Sequence, residues 1–215
     1  MRASGTTRAI LMLMCFGAVS GRSLANQARS SPLNGSARLS VKKLMEEALV
    51  PGVQIAVVEN GRIRVQSFGV ADVQSGRRVT ASTVFETASL GKPVLSYAVL
   101  KLASDGRMDL DKPIGTYMPN LRDGIETLTA RQLLSHTSGL PASGRSGFSP
   151  SREPRFSYSG EGINLLQEVV EQITGQPLQD YMSAAVFRPL GMASSSFVWR
   201  DEYAGRKAFG HTYTG

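Results

Sequence analysis

The feature that most constrains the fold is a hairpin signal. Two apolar segments, residues 53–58 and 63–68, flank the pair Asn60-Gly61. Asparagine and glycine tolerate the positive φ angles of a two-residue hairpin turn, so the sequence predicts an antiparallel pair of strands. A lone two-stranded hairpin is only marginally stable in water, so the pair needs further elements to cover it.

Helical patterns follow the hairpin. Residues 92–104 are apolar on nearly every side, which predicts a central helix buried on most of its faces. Thr129 and Gln132 have the spacing of a capping box, which predicts the start of another helix. That helix is predicted over residues 129–136. Further helices are predicted over residues 40–49 (with Ser40 as the cap), 162–174 and 178–187. With no other convincing strand, the sequence predicts an α+β domain with an antiparallel sheet flanked by helices.

The N-terminus has the pattern of an export signal. Arg2 and Arg8 precede an uncharged apolar run over residues 9–19, and small residues follow up to Ala25. We therefore expect a signal peptide over residues 1–25 and a periplasmic or secreted protein. A permanent membrane anchor is the alternative, although the run is shorter than the roughly 20 residues that span a bilayer. Residues 26–39 are rich in Ser and Asn and predict a linker before the domain at 40–215.

The charge pattern argues against a nucleic-acid-binding protein. The formal net charge is +7, but the first 45 residues contain seven basic side chains and no acidic one, and the other 17 basic residues match the 17 acidic residues. No basic stripe interleaved with aromatic residues is present. The only histidines are His136 and His211, and the only cysteine, Cys15, lies in the predicted signal. We therefore expect no metal site and no cofactor.

The chemistry that remains is an S-x-x-K motif. It occurs at Ser40–Lys43 and at Ser89–Lys92. Ser89 lies just before the predicted helix over 92–104, where residues three apart share a face and Lys92 can reach the serine hydroxyl. The positive end of a helix stabilises an oxyanion, and a neighbouring lysine can activate a nucleophile. The alternative is a helix cap beside a surface lysine.

Five segments in order resemble one family. FETASLGKP at 85–93 resembles the nucleophile segment of the serine β-lactamase-related family, which includes class C β-lactamases, D-alanyl-D-alanine carboxypeptidases and related esterases. The segments at 100–113, 129–141, 156–162 and 189–197 are similar to the family's later landmarks. The resemblance covers about residues 40–200. It implies a β-lactamase/transpeptidase-like fold with a helical subdomain and hydrolysis of an amide or ester.

The resemblance also implies roles for single residues. Ser89 would be the acylated nucleophile and Lys92 its activating partner. Tyr158 would be the base or proton shuttle, with a loop aromatic packed on the core as the alternative. Gly160 stands at a substrate-binding position where penicillin-recognising members typically have asparagine, which favours esters or other acyl substrates. His136 would shape a helix end and would not be catalytic.

One family landmark has no match. The resemblance implies a strand with Lys or His followed by Ser/Thr-Gly, and residues 210–215 do not fit that pattern. We therefore expect that the C-terminal strands of the sheet are missing from this sequence. The 215 residues would then be the front part of a longer chain. The alternative to a hydrolase acting on a small-molecule or peptidoglycan-like substrate is a catalytically incompetent module that binds peptidoglycan or a protein partner. Loop arginines Arg145, Arg152 and Arg155 could attract a carboxylate, or be solvated surface residues.

Overall fold

The computed structural model describes residues 33–121, 123–143 and 155–211, which divide into two compact units. The first unit comprises Met1–Ala88 with Leu190–Gly215, and the second comprises Ser89–Pro189. The predicted signal peptide and the first half of the predicted linker, residues 26–32, lie outside the described residues. Among those described, no helix has the length and apolar character needed to cross a membrane.

The first unit is built on the predicted hairpin. Strands β1 (Gly52–Glu59) and β2 (Arg62–Asp72) pair antiparallel, with Glu59 opposite Arg62. Asn60 and Gly61 have φ angles of +50° and +70°, which confirms the predicted turn and its cause. A two-residue strand, β3 (Arg77–Arg78), extends the sheet in the order β1-β2-β3. Strand β3 was not predicted, because two residues are too few to show a periodic pattern.

The first helix begins earlier than predicted. Helix α1 spans Gly35–Glu47, and the Asn34 side chain caps it by accepting a hydrogen bond from the Ala37 N–H at 2.9 Å. The prediction of Ser40 as the cap is wrong, because its hydroxyl donates to the Ser36 carbonyl inside the helix. Asparagine and serine cap equally well, so composition could not choose between them. Residues 35–39 of the predicted linker are therefore helical.

The second unit is helical, and its first helix contributes one buried apolar stripe to the core. Helix α2 spans Gly91–Ser104 and buries Leu95, Ala98, Val99 and Leu102. The apolar composition predicted burial on most faces of this helix, and that prediction is wrong. Tyr97 and Leu100 are about half exposed, so the helix is buried along one stripe only. The i, i+3, i+4, i+7 spacing of the buried side chains is that of an ordinary amphipathic helix.

Three further helices complete the second unit. Helix α3 (Ala130–Leu134) begins with the predicted capping box between Thr129 and Gln132. Helix α4 (Gly160–Thr174) buries the apolar stripe that predicted it, and Gly175 ends it with a φ of +70°. Helix α5 (Leu178–Met182) continues into a π-helical turn over Ser183–Phe187. An antiparallel sheet in one unit and helices in the other agree with the predicted α+β class.

Candidate active site

The start of helix α2 holds the S-x-x-K pair. A 3₁₀ turn over Ala88–Leu90 runs directly into the helix, so Ser89 and Lys92 lie on one side of its first turns. The Lys92 Nζ atom donates a hydrogen bond to Ser89 Oγ at 2.9 Å. Ser89 is exposed, and Lys92 is half-buried. The serine hydroxyl is therefore open to solvent and in contact with a cation.

The residue before the serine has an unusual backbone conformation. Ala88 has a φ of +45°, which L-residues other than asparagine and aspartate rarely adopt. Such strain is held by the surrounding structure and is often found at functional sites. Ala88 is the first residue of the 3₁₀ turn that contains Ser89.

A distant residue completes the cluster. Tyr158 lies 69 positions after Ser89, in the extended segment before helix α4, and its hydroxyl donates to Ser89 Oγ at 3.0 Å. The Lys92 Nζ atom lies 5.2 Å from the centroid of the Tyr158 ring. The structure thus brings together the three residues named from the sequence, with the serine oxygen as their shared partner.

The cluster changes the acidity of the phenol. The pKa of Tyr158 lies below its ordinary value, chiefly because the Lys92 side chain hydrogen-bonds with the phenol, and next because Ser89 does. Desolvation acts in the opposite direction and is outweighed. A lysine cation that favours the phenolate raises the fraction of Tyr158 present, at a given pH, in the form that can accept a proton.

Gly160 occupies the first position of helix α4, two residues after Tyr158. Its N–H donates to the Ala142 carbonyl oxygen at 3.2 Å. A Cβ atom on Gly160 would lie 2.4 Å from that oxygen, closer than real Cβ contacts come. The carbonyl of Ala142 therefore fills the space of a side chain at this position. That Gly160 binds substrate stays a prediction.

Contacts around His136 were not foreseen. The resemblance gave this residue a role at a helix end, and it does follow helix α3, but its ring also packs against the Tyr158 ring with centroids 4.7 Å apart. The Ser159 N–H donates to His136 Nδ1 at 3.2 Å. Ser159, whose hydroxyl caps helix α4, was missed too, although a serine before an apolar periodic run is a capping signal.

Other sequence candidates lie away from this cluster or outside the structure. Arg145 and Arg152 fall outside the described residues, whereas Arg155 is exposed just before Tyr158. His211 is the last residue described, in the first unit. Within the described ranges, no group of three or more His, Cys, Asp or Glu side chains has a geometry that could hold a metal ion.

Comparison with known proteins gives consistent matches. The family model described as Beta-lactamase matches residues 38–215. Esterase EstB of Burkholderia gladioli is 31% identical over 194 residues, which cover 72% of this chain and 49% of the esterase. The chain spans about half the length of the curated relatives it matches.

Solved structures give the same picture. A class C β-lactamase from Rhodobacter sphaeroides is 26% identical with a TM-score of 0.75, and the match covers 83% of this chain and 55% of that one. The D-alanine carboxypeptidase AmpC from Burkholderia cenocepacia is 25% identical with a TM-score of 0.76, covering 84% and 54% of the two chains. The fold expected from the resemblance is confirmed.

Proposed function

The chain belongs to the β-lactamase family, and on that premise we propose that it is a serine hydrolase that forms an acyl-enzyme on Ser89. One observation carries the proposal: Ser89 Oγ lies 2.9 Å from Lys92 Nζ and 3.0 Å from the Tyr158 hydroxyl oxygen. A nucleophilic hydroxyl needs a proton acceptor within hydrogen-bond reach, and either neighbour can serve in its deprotonated form, Lys92 as the neutral amine or Tyr158 as the phenolate.

The proposed reaction has two halves. In acylation, the Ser89 proton moves to the Tyr158–Lys92 pair as Oγ bonds to the substrate carbonyl carbon and the carbonyl electrons move to its oxygen. The positive end of helix α2 stabilises that oxyanion. The oxyanion collapses, the bond to the leaving group breaks, and Tyr158 returns the proton to it. In deacylation, the oxygen of water bonds to the acyl carbon and gives its proton to the same pair. The bond from the acyl carbon to Ser89 Oγ then breaks, Oγ takes that proton back, and the carboxylic acid leaves.

We propose a carboxylic ester as the preferred substrate. At position 160 the site has no side-chain amide that could hold a β-lactam or peptide amide, and the Ala142 carbonyl stands in that space. Esterase EstB, the relative with 31% identity, is consistent with this choice. A D-amino-acid peptide or a β-lactam is the second candidate, supported by the structural similarity to the carboxypeptidase and to the class C β-lactamase.

Replacement of the serine tests the proposal. Ser89→Ala should reduce hydrolysis of a p-nitrophenyl ester to the uncatalysed rate and abolish the mass increase produced by a fluorophosphonate. The matched control is Ser40→Ala, which removes the serine of the other S-x-x-K motif on exposed helix α1 and should leave both readouts unchanged. Labelling that survives Ser89→Ala would contradict the assignment.

A binding module without turnover is the less favoured alternative. It does not account for the convergence of Lys92 and Tyr158 on the Ser89 oxygen, which a passive surface does not require. The same mass measurement decides between the two. If the unmodified protein forms no fluorophosphonate adduct and hydrolyses neither an ester nor a cephalosporin, the binding hypothesis replaces the hydrolase.

Export is proposed from the sequence alone. The apolar run at residues 9–19 and the small residues up to Ala25 support a cleaved signal over residues 1–25 and a periplasmic or secreted location. N-terminal sequencing of the protein purified from its native host tests this. A start at Asn26 is the expected result, and an intact Met1 would contradict it.

A further inference from the structure

We propose that His136 is a positioning residue that holds Tyr158 in line with Ser89. The inference rests on the proposed function, because positioning matters only if Tyr158 exchanges a proton with the serine. His136 does not touch Ser89 or Lys92 in any described contact; it acts through Tyr158 and the residues on both sides of it.

Two hydrogen bonds to His136 bracket the tyrosine. The Ser157 N–H donates to the His136 carbonyl oxygen at 2.8 Å, and the Ser159 N–H donates to His136 Nδ1 at 3.2 Å. The residues immediately before and after Tyr158 are therefore fixed to one histidine. A peptide fixed on both sides of a side chain has little freedom to redirect that side chain.

The imidazole ring also restrains the phenol directly. Its centroid lies 4.7 Å from that of Tyr158, with 37° between the planes. The Phe156 ring meets the same imidazole edge-on, with centroids 5.9 Å apart. Tyr158 is 49% exposed, and its other described contacts are with Ser89 and Lys92. The histidine ring therefore packs against a catalytic side chain that is otherwise largely exposed.

The backbone at His136 has a conformation that usually favours glycine. Helix α3 ends with a paired closure in which the His136 N–H bonds to the Leu133 carbonyl and the Thr137 N–H bonds to the Gln132 carbonyl. This closure needs a left-handed residue, usually glycine, and His136 supplies it with a φ of +56°. Glycine would satisfy the backbone better, so the contacts with residues 156–159 are what a histidine adds at this position.

This arrangement makes the expected effects on folding and catalysis separable. His136→Gly keeps the left-handed turn and removes both the Nδ1 acceptor and the ring. His136→Asn also tolerates the left-handed conformation and places an amide oxygen near the position of Nδ1. His136→Gln carries its oxygen one bond further out, where it mimics Nε2 and not Nδ1.

The experiment compares the rate of Ser89 acylation and the steady-state constants for p-nitrophenyl ester hydrolysis. For His136→Gly we expect kcat to fall about 10- to 100-fold, as for a catalytic group displaced by about 1 Å, with KM nearly unchanged. His136→Asn should recover much of the loss and His136→Gln should not. The same His136→Gly change made in Tyr158→Phe should cost less than about twofold, because the group it positions is already absent.

The outcomes separate this inference from the proposed function. If the unmodified protein does not acylate Ser89, the proposed function fails. If it does, and His136→Gly is as fast as the unmodified protein, or is slowed equally with and without the Tyr158 hydroxyl, the positioning role is overturned. Should His136→Gly fail to fold, equal rates for His136→Asn and His136→Gln would overturn it.

Discussion

Gly160 provides a steric test of the site. In Gly160→Ala the new Cβ would lie 2.4 Å from the Ala142 carbonyl oxygen, and relief to an ordinary contact requires a movement of about 1 Å. That movement disrupts the hydrogen bond from the Gly160 N–H to the same oxygen, which is already 3.2 Å long. It also displaces the start of helix α4, two residues after Tyr158.

The expected cost follows from these terms. Overpacking costs about 1–3 kcal/mol and the lost hydrogen bond about 0.5–1.5 kcal/mol. Replacing glycine by alanine at a helical position recovers at most about 1 kcal/mol. The steric terms prevail, so we expect Gly160→Ala to lower the free energy of unfolding by about 1–3 kcal/mol. Because Tyr158 moves with the helix, acylation of Ser89 should slow by up to about 100-fold.

The structure offers a matched control. Gly35 is also the first residue of a helix and follows a capping side chain, but a Cβ there would have no atom within 4 Å. Gly35→Ala should therefore be neutral or stabilising by up to about 1 kcal/mol and should leave acylation unchanged. Urea denaturation of both variants beside the unmodified protein measures the difference. Equal stability of the two variants would refute the contact between Ala142 and helix α4.

Two further predictions concern helix α2. Lys92→Met removes the main cause of the lowered Tyr158 pKa, so that pKa should rise and the pH profile of Ser89 acylation should shift toward alkaline pH. Lys101→Met is the control. An unchanged or acid-shifted profile for Lys92→Met would contradict the coupling. Leu102 is fully buried and Leu100 is half exposed on the same helix. Leu102→Ala should cost about 2–5 kcal/mol of unfolding free energy and Leu100→Ala less than about 0.5, measured by urea denaturation; similar costs would contradict the buried stripe.

Local signals in the sequence predicted local structure well. Asn60-Gly61 determined the hairpin because its backbone angles are open to few other residues, and Thr129 with Gln132 started a helix because their side chains satisfy each other's backbone donors. The start of helix α1 was wrong because Asn34 and Ser40 offer the same capping chemistry. Composition cannot decide which of two equivalent caps is used.

Distance along the chain limited what could be predicted about the site. The spacing of Ser89 and Lys92 predicted their contact, since three residues make about one helical turn. Nothing in spacing relates Tyr158 to a serine 69 positions earlier, and only the resemblance to a family suggested that pair. The exposed side of helix α2 could not be predicted either, because the apolar character of a side chain does not indicate whether other residues cover it.

Gly160 shows how one residue supports two different arguments. In the sequence, Gly160 stands where the resemblance implies an asparagine in penicillin-recognising members of the family. In the structure it is the position where the chain at Ala142 approaches helix α4 too closely for any side chain. A missing contact can be restored by one substitution. A space that the Ala142 carbonyl already fills cannot accept a new side chain. Gly160→Asn should therefore not create amide recognition, and any change of substrate class would first require moving the segment that carries Ala142.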